Sequence, residues 1–133
     1  MSGAYFDTRR RALGLSIAET AIVCGRAGEP VTERTINRWI NDRSPVPADT
    51  IDSLDRLEEH MDACVARLTD IATDQTMAGP IVIRRYRTQE DLADSPDDIG
   101  IPHGAHAMMT AWLAEQLAAQ GIETAFVWAD TVD

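Results

Sequence analysis

A group of polar side chains, spaced to share one side of a short helix, has the most specific chemistry in this sequence. Arg34, Asn37 and Arg38 fall at helical spacing, and Glu33 precedes them. Arginine donates paired hydrogen bonds to guanine, asparagine pairs with adenine in the same way, and glutamate accepts from cytosine. The group therefore predicts a surface that reads base edges in double-stranded DNA.

Residues around this group are expected to complete the contact. Thr32 lies with Glu33 at the N-terminal end of the helix, the end that meets base edges in a major groove. Thr35 is placed to reach a phosphate or a thymine methyl group. Arg43, Arg10 and Arg11 are expected to contact backbone phosphates. The alternative for each arginine is a solvated surface position without a partner.

Charge is unevenly distributed along the sequence, and this distribution determines which part of the chain could bind a nucleic acid. The 133 residues carry a net charge of −10. Residues 1–45 contain seven Arg and five acidic residues. Residues 46–79 contain two Arg and eight acidic residues, and residues 80–133 contain three Arg and nine acidic residues. A phosphate-facing surface must therefore be N-terminal, and the acidic remainder repels DNA. All 12 basic residues are Arg, which favours bidentate contacts.

Capping residues and apolar spacing predict the elements that carry these side chains. The predicted N-terminal helices run over about residues 3–13, 17–24, 33–40 and 48–71. Ser16 and Glu19 form a capping box, and Thr32 caps the third helix. The segment Gly25–Val31 is a turn. In the third helix Ile36, Trp39 and Ile40 are predicted to face the core, opposite the polar group.

Two runs of residues resemble one family of regulators. Residues 11–21, RALGLSIAETA, look like the opening of Xre/Cro-type repressor domains, and residues 35–47, TINRWINDRSPVP, are similar to the recognition helix and following loop of that family. The resemblance implies a helix-turn-helix DNA-binding domain over about Tyr5–Leu57 with residues 33–40 as its recognition helix. The turn Gly25–Val31 is longer than the family's, and Ile40 and Asp42 replace its usual Glu and Gly. We therefore expect the loop after the recognition helix to differ.

The C-terminal part is predicted to be a small α+β module. Strands are expected at residues 80–87 and 122–128, and helices at 89–93 and 103–119. Such a unit is too small to bury all its apolar residues, so a two-fold partner is expected to cover them. Packing on the distal part of the long helix is the alternative. The expected fold is thus mainly α, with a helix-turn-helix bundle of four to five helices in residues 1–73 and an α+β dimerisation module in residues 80–133.

The order of these elements, with the strand Arg84–Tyr86 and the acidic stretch 91–98, resembles a narrower group over about residues 5–128. It looks like YdiL-type proteins and the second family of anti-CRISPR-associated transcriptional repressors. That resemblance implies a homodimer that represses its own operon at an inverted repeat. The alternatives are an antitoxin whose C-terminal surface binds a toxin or another protein chain, an interaction module with a degenerate helix-turn-helix, and RNA binding through the same basic face.

The remaining reactive residues do not predict a catalytic, cofactor or metal site. Cys24 and Cys64 lack the spacing of a disulfide framework and are expected to be buried thiols. His103 and His106 can share a metal at their spacing, but no third His or Cys is near, so a polar helix start is expected. The carboxylates of residues 49–74 and 90–98 have no convergent His or Ser, so no enzyme is expected. The sequence has no signal peptide and no apolar run of about 18 residues, which predicts a cytoplasmic protein with no membrane partner.

Overall fold

The computed structural model describes residues 1–25, 29–75 and 79–131, and this part is mainly helical with one small parallel sheet. The elements are α1 (Gly3–Ala12), α2 (Ile17–Val23), α3 (Glu33–Ile40), α4 (Ala48–Asp74), β1 (Ile81–Arg85), α5 (Gln89–Ala93), α6 (His103–Ala119) and β2 (Thr124–Trp128), followed by a 3-10 turn, Ala129–Thr131. The prediction of a mainly helical chain is confirmed. Residues 26–28 of the predicted turn Gly25–Val31 lie outside the described residues.

The chain divides into two compact units, Met1–Glu59 and His60–Asp133, which are treated separately below. The division falls inside α4, whereas the sequence places all of that helix in the first domain. The domain bounds 1–73 and 80–133 stay a prediction. Among the described residues, no helix is both long and apolar enough to cross a lipid bilayer.

The core of the first unit forms where α1 and α2 pack against α3. Phe6 and Trp39 meet edge to face, with ring centroids 5.7 Å apart and an interplanar angle of 84°. Leu13, Ile36 and Leu54 are buried around them. Trp39 is therefore a core residue, as its spacing predicts, and not an exposed ring for stacking.

Side-chain caps fix the starts of α2 and α3, and both were predicted from the sequence. Ser16 Oγ accepts from the Glu19 amide at 3.0 Å, and Glu19 Oε1 accepts from the Ser16 amide at 3.0 Å. Thr32 Oγ1 accepts from the Thr35 amide at 3.1 Å. Each cap satisfies an N–H group that the helix itself leaves unbonded, so the two helices begin at defined residues.

The first residue of α1 lies against the last turn of α3. A Cβ atom on Gly3 would lie 2.2 Å from the carbonyl oxygens of both Trp39 and Ile40, so only glycine fits there. The Gly3 amide donates to Asp42 Oδ1 at 2.8 Å. Asp42 has a φ of 57°, in the left-handed region that aspartate tolerates better than most residues. This residue thus joins the end of α3 to the start of α1.

The second unit contains a crossover in which α5 and α6 connect two parallel strands. β1 and β2 pair in parallel from Ile81 with Thr124 to Arg85 with Trp128, and α6 packs against both strands. Parallel pairing requires such a long connection, because a tight turn reverses the chain. Ile83 and Leu117 are buried in this unit. The two strands were predicted, but their parallel orientation was not.

One prediction for this unit is wrong. His106 was expected on a polar helix start, yet it is only 5% exposed. Its ring packs edge to face on Tyr86, with centroids 5.9 Å apart. Burial lowers the pKa of His106, because the charged imidazolium loses hydration there. His103 is less buried, and its Nε2 atom lies within hydrogen-bond distance of the Tyr86 carbonyl oxygen.

Candidate nucleic-acid interface

Helix α3 has one side in the core and the other in solvent. Ile36 is fully buried and Trp39 is 6% exposed. Arg34, Asn37 and Arg38 are all exposed. The cap at Thr32 fixes where α3 begins. The buried side chains of Ile36 and Trp39 fix which side of the helix faces solvent. The predicted polar group is therefore displayed on a rigid element.

These polar side chains are close together. One open surface depression is lined by Arg34, Asn37, Arg38, Asn41 and Arg43. Asn41 was not among the predicted contact residues, although its position four residues after Asn37 places it on the same helix side. Its Nδ2 donates to the Asn37 carbonyl at 2.8 Å, which leaves its side-chain oxygen available as an acceptor.

The loop after α3 turns back to bring Arg43 beside the helix. The Arg38 carbonyl accepts from the amide of Arg43 at 2.8 Å and from that of Ser44 at 3.3 Å. The Arg38 Nε atom donates to Ser44 Oγ at 3.1 Å. These bonds hold the loop against the last turn of α3. Arg43 follows the helix in sequence, but its side chain therefore lies on the same surface as the polar side chains of α3.

The cations of this surface are not neutralised by neighbouring side chains. Within the described residues, no carboxylate forms an ion pair with Arg34, Arg38 or Arg43. Asp42 is adjacent in sequence, but its carboxylate accepts from Gly3. The arrangement is a local positive surface with amide groups between the charges, which suits phosphates and base edges.

The start of α3 holds the other predicted contact residues. Glu33 is exposed, and Thr32 and Thr35 share a hydrogen bond between their hydroxyl groups, 2.9 Å apart. Thr32 also serves as the helix cap. The two threonine hydroxyls are thus occupied locally, whereas the Glu33 carboxylate faces solvent at the end of the helix where a major-groove contact is expected.

The structure does not support the predicted phosphate contact of Arg10. It was predicted to contact a phosphate, but it is 8% exposed. Its Nε atom donates to Asp7 Oδ1 at 2.8 Å, and its NH1 atom donates to the Leu15 carbonyl at 2.9 Å. The guanidinium group is fixed inside the unit, where it joins the end of α1 to the start of α2. We therefore leave Arg10 out of the interface.

Arg11 remains accessible. Its side chain is 69% exposed, while Nε pairs with Asp7 Oδ2 at 2.9 Å. Burial raises the pKa of Asp7, but hydrogen bonds and charge from Arg11 and Arg10 outweigh it, and the net result is a lowered pKa. An ion pair at such an exposed position is weak, so Arg11 can exchange it for a phosphate.

The two cysteines were the other candidates for chemistry in the sequence. Burial and the charge of Asp49 raise the pKa of the Cys24 thiol to about 12, so it is protonated and unreactive at neutral pH. Cys64 is buried. In the part of the chain that the structure describes, no three His, Cys, Asp or Glu side chains come together as metal ligands.

Comparison of the chain with protein-family models and with curated proteins gives no match. The resemblance to helix-turn-helix repressors therefore stays an expectation from the quoted residues. The geometry around α3 is an independent observation, because it depends on burial, hydrogen bonds and charge rather than on similarity.

Proposed function

We propose that this protein is a sequence-specific DNA-binding transcriptional regulator, and that it acts as a homodimer that represses its own gene at an inverted repeat. Helices α2 and α3 would form a helix-turn-helix, with α3 in the major groove. The observation that carries the proposal is the grouping of Arg34, Asn37, Arg38 and Arg43 on the exposed side of α3, opposite its core side.

Each residue of the group has a distinct role in this proposal. Arg34 and Arg38 donate to guanine edges, and Asn37 pairs with adenine. Glu33, near the N-terminal end, accepts from cytosine. Arg43 lies beside the last turn of the helix and suits the phosphate backbone, which fixes register without reading sequence.

The acidic remainder of the chain supports this assignment of the surface. Residues 46–133 carry five arginines and seventeen acidic residues, so they are strongly repelled by DNA. A protein with this charge distribution approaches DNA by its N-terminal surface. Its non-specific binding is weak, and its affinity falls steeply with salt, because each phosphate contact releases counterions.

A second copy of the chain is the proposed partner of residues 80–133. Val82, Phe126 and Trp128 are 57%, 47% and 38% exposed. The strand register puts Phe126 and Trp128 on one face of the sheet and Val82 on the other, so a partner that covers all three must contact both faces. A repressor that reads an inverted repeat needs two α3 helices, and a two-fold interface supplies them. We expect Phe126→Glu to convert a dimer to a monomer in light scattering, while Glu115→Gln on the surface of α6 leaves the mass unchanged.

The direct test of the DNA proposal begins with selection of binding sites from random DNA. On the selected site, Arg34→Ala, Asn37→Ala and Arg38→Ala should each lose on the order of 1–3 kcal/mol of binding free energy. The matched control is Arg56→Ala, because Arg56 is an exposed arginine on α4 outside the depression. Thermal unfolding confirms that the variants fold. Unchanged affinity in all three variants would overturn the assignment of the interface.

An antitoxin is the second candidate, favoured by the same exposed apolar side chains Val82, Phe126 and Trp128. It would use the same DNA-binding surface, but an unlike chain would cover these residues. Purification of the protein from its native cells distinguishes the two, since a repressor dimer contains one kind of chain and an antitoxin complex contains two.

A further inference from the structure

A cavity of about 310 Å³ lies within the second unit. Its walls come from residues after His60 on α4, from β1, from α6 and from residues 96–99 before α6, and they are mainly aliphatic. The apolar side chains that form most of the wall are Leu68, Ile71, Ile83, Met109, Leu113 and Leu117. This volume is at the lower end of the range for small-molecule sites, about 300–1,000 Å³.

A buried polar side chain lines this cavity. His106 is 5% exposed, and within the described residues no side chain or backbone group forms a hydrogen bond with its ring. No described side-chain polar atom is both sealed from solvent and without a partner. His106 is one of the residues that line the cavity, so a ligand there can supply the hydrogen-bond partner that the protein does not. The neutral ring offers one donor and one acceptor there.

A second polar group lies at the cavity wall and is not neutralised. Arg67 is exposed, and its NH2 atom lies 3.6 Å from the buried Cys64 Sγ. No carboxylate among the described residues forms an ion pair with Arg67. Arg84, which also lines the cavity, differs because Asp97 lies 3.2 Å from its Nε atom. The Asp97 carboxylate lines the cavity as well, but it is paired with Arg84. The cavity thus combines an apolar body and one ion pair with a cation, Arg67, that has no carboxylate partner among the described residues.

We propose that this cavity binds a small molecule with an apolar body and a single carboxylate group. The aliphatic wall takes the body and Arg67 pairs with the carboxylate, while His106 offers a hydrogen bond to any further polar atom that the ligand carries. This site goes beyond the proposed DNA-binding function and does not rest on it, because every residue involved belongs to the second unit. In a regulator, such a ligand would be an effector.

The test uses the whole chain, without DNA, and two probes of equal length, octanoate and 1-octanol. Isothermal titration calorimetry should detect one octanoate per chain. Arg67→Gln should weaken octanoate about tenfold and leave 1-octanol unchanged, because only the carboxylate uses the cation. Ile71→Trp should prevent binding of both probes by filling the cavity, and Ile71 is 48% exposed, so the larger side chain does not enter the core. The matched control is Arg56→Gln on the same helix.

A structural readout separates the cavity from non-specific surface binding. Octanoate should shift the NMR resonances of the His106 ring in the wild-type protein and not in Ile71→Trp. The proposal is overturned if octanoate does not bind at millimolar concentration, or if it binds equally to wild type and to Arg67→Gln. Unchanged octanoate binding in Ile71→Trp also overturns it. The DNA-binding assay is separate, so failure of one proposal does not imply failure of the other.

Discussion

The arginines of α1 and those around α3 are the same residue type within one unit, but their surroundings differ. Arg9 donates to Asp55 at 2.9 Å and to Glu58 at 3.2 Å, and the hydrogen bond to Asp55 is the largest cause of its raised pKa. Arg10 and Arg11 share Asp7. Every arginine of α1 therefore has a carboxylate partner, and two of these contacts tie α1 to α4.

The arginines around α3 have no such partner among the described residues, although the chain has almost twice as many acidic residues as basic ones. In an acidic protein, an arginine cluster without carboxylates is the more informative feature. The surface around α3 differs from α1 because several arginines without a carboxylate partner lie together there. The arginines of α1 that pair with carboxylates contribute to the fold, whereas the arginines around α3 are available for binding.

The largest expected effect tests this separation directly. Arg10→Ala should lower the free energy of unfolding by about 3 kcal/mol, because it removes a part-buried ion pair and leaves the buried Leu15 carbonyl without its donor. Arg38→Ala should change it by less than about 0.5 kcal/mol. Urea unfolding of both variants, followed by circular dichroism, measures the difference. Equal losses in the two variants would contradict the comparison.

The next effect concerns the contact between α1 and the end of α3. Asp42→Ala should cost about 2 kcal/mol, because it removes the acceptor of the Gly3 amide and puts alanine in the left-handed region. Asp42→Asn is the control, since asparagine keeps an oxygen acceptor and tolerates that backbone. Thermal unfolding should rank wild type and Asp42→Asn together, above Asp42→Ala.

A smaller effect appears in the pH dependence of stability. The pKa of Asp7 lies below its usual value of 3.8 in the folded protein, so the folded state holds fewer protons on it than the unfolded state. Ionised Asp7 therefore stabilises the folded protein at pH values above 3.8. This stabilisation is lost as the pH falls through the pKa that Asp7 has in the folded state. Asp7→Asn should therefore show a shallower loss of stability on acidification. Urea midpoints measured at successive pH values compare the slopes, and parallel curves would argue against the arginine pairing.

The smallest expected effect on stability belongs to Arg11. Arg11→Ala should change the free energy of unfolding by less than about 0.5 kcal/mol, because Asp7 keeps Arg10 as its partner and the Arg11 side chain is exposed. If Arg11 contacts a phosphate, the slope of log affinity against log salt should fall by about one in this variant. A salt titration of DNA binding, with Arg10 intact, measures that slope.

Local signals explain what the sequence could predict. The capping residues Ser16 and Thr32 define helix starts through contacts within three residues, so α2 and α3 were located correctly. The spacing of Ile36 and Trp39 predicted which side of α3 faces the core, and that side is buried. The same spacing predicted that Arg34, Asn37 and Arg38 lie on the opposite side of α3, where they are exposed.

The burial of Arg10 and of His106 was missed for two different reasons. Arg10 shares the helix side of Phe6 and Leu13, but its charge suggested exposure, and only the Leu15 carbonyl and Asp7 show why it can be buried. The side shared with Phe6 and Leu13 and the spacing of Arg10 and Asp7 were the two local signals available. His106 is buried against Tyr86, twenty residues earlier, and no local pattern indicates that contact.

The parallel pairing of β1 and β2 has a consequence for the order of folding. Its partners are about forty residues apart in the chain, so closing that loop costs conformational entropy before any strand hydrogen bond forms. During synthesis, β1 is made about forty residues before β2, whereas α1, α2 and α3 are complete before either strand. We expect the first unit to acquire protection from proteolysis on the ribosome early. The sheet forms only after β2 has been synthesised.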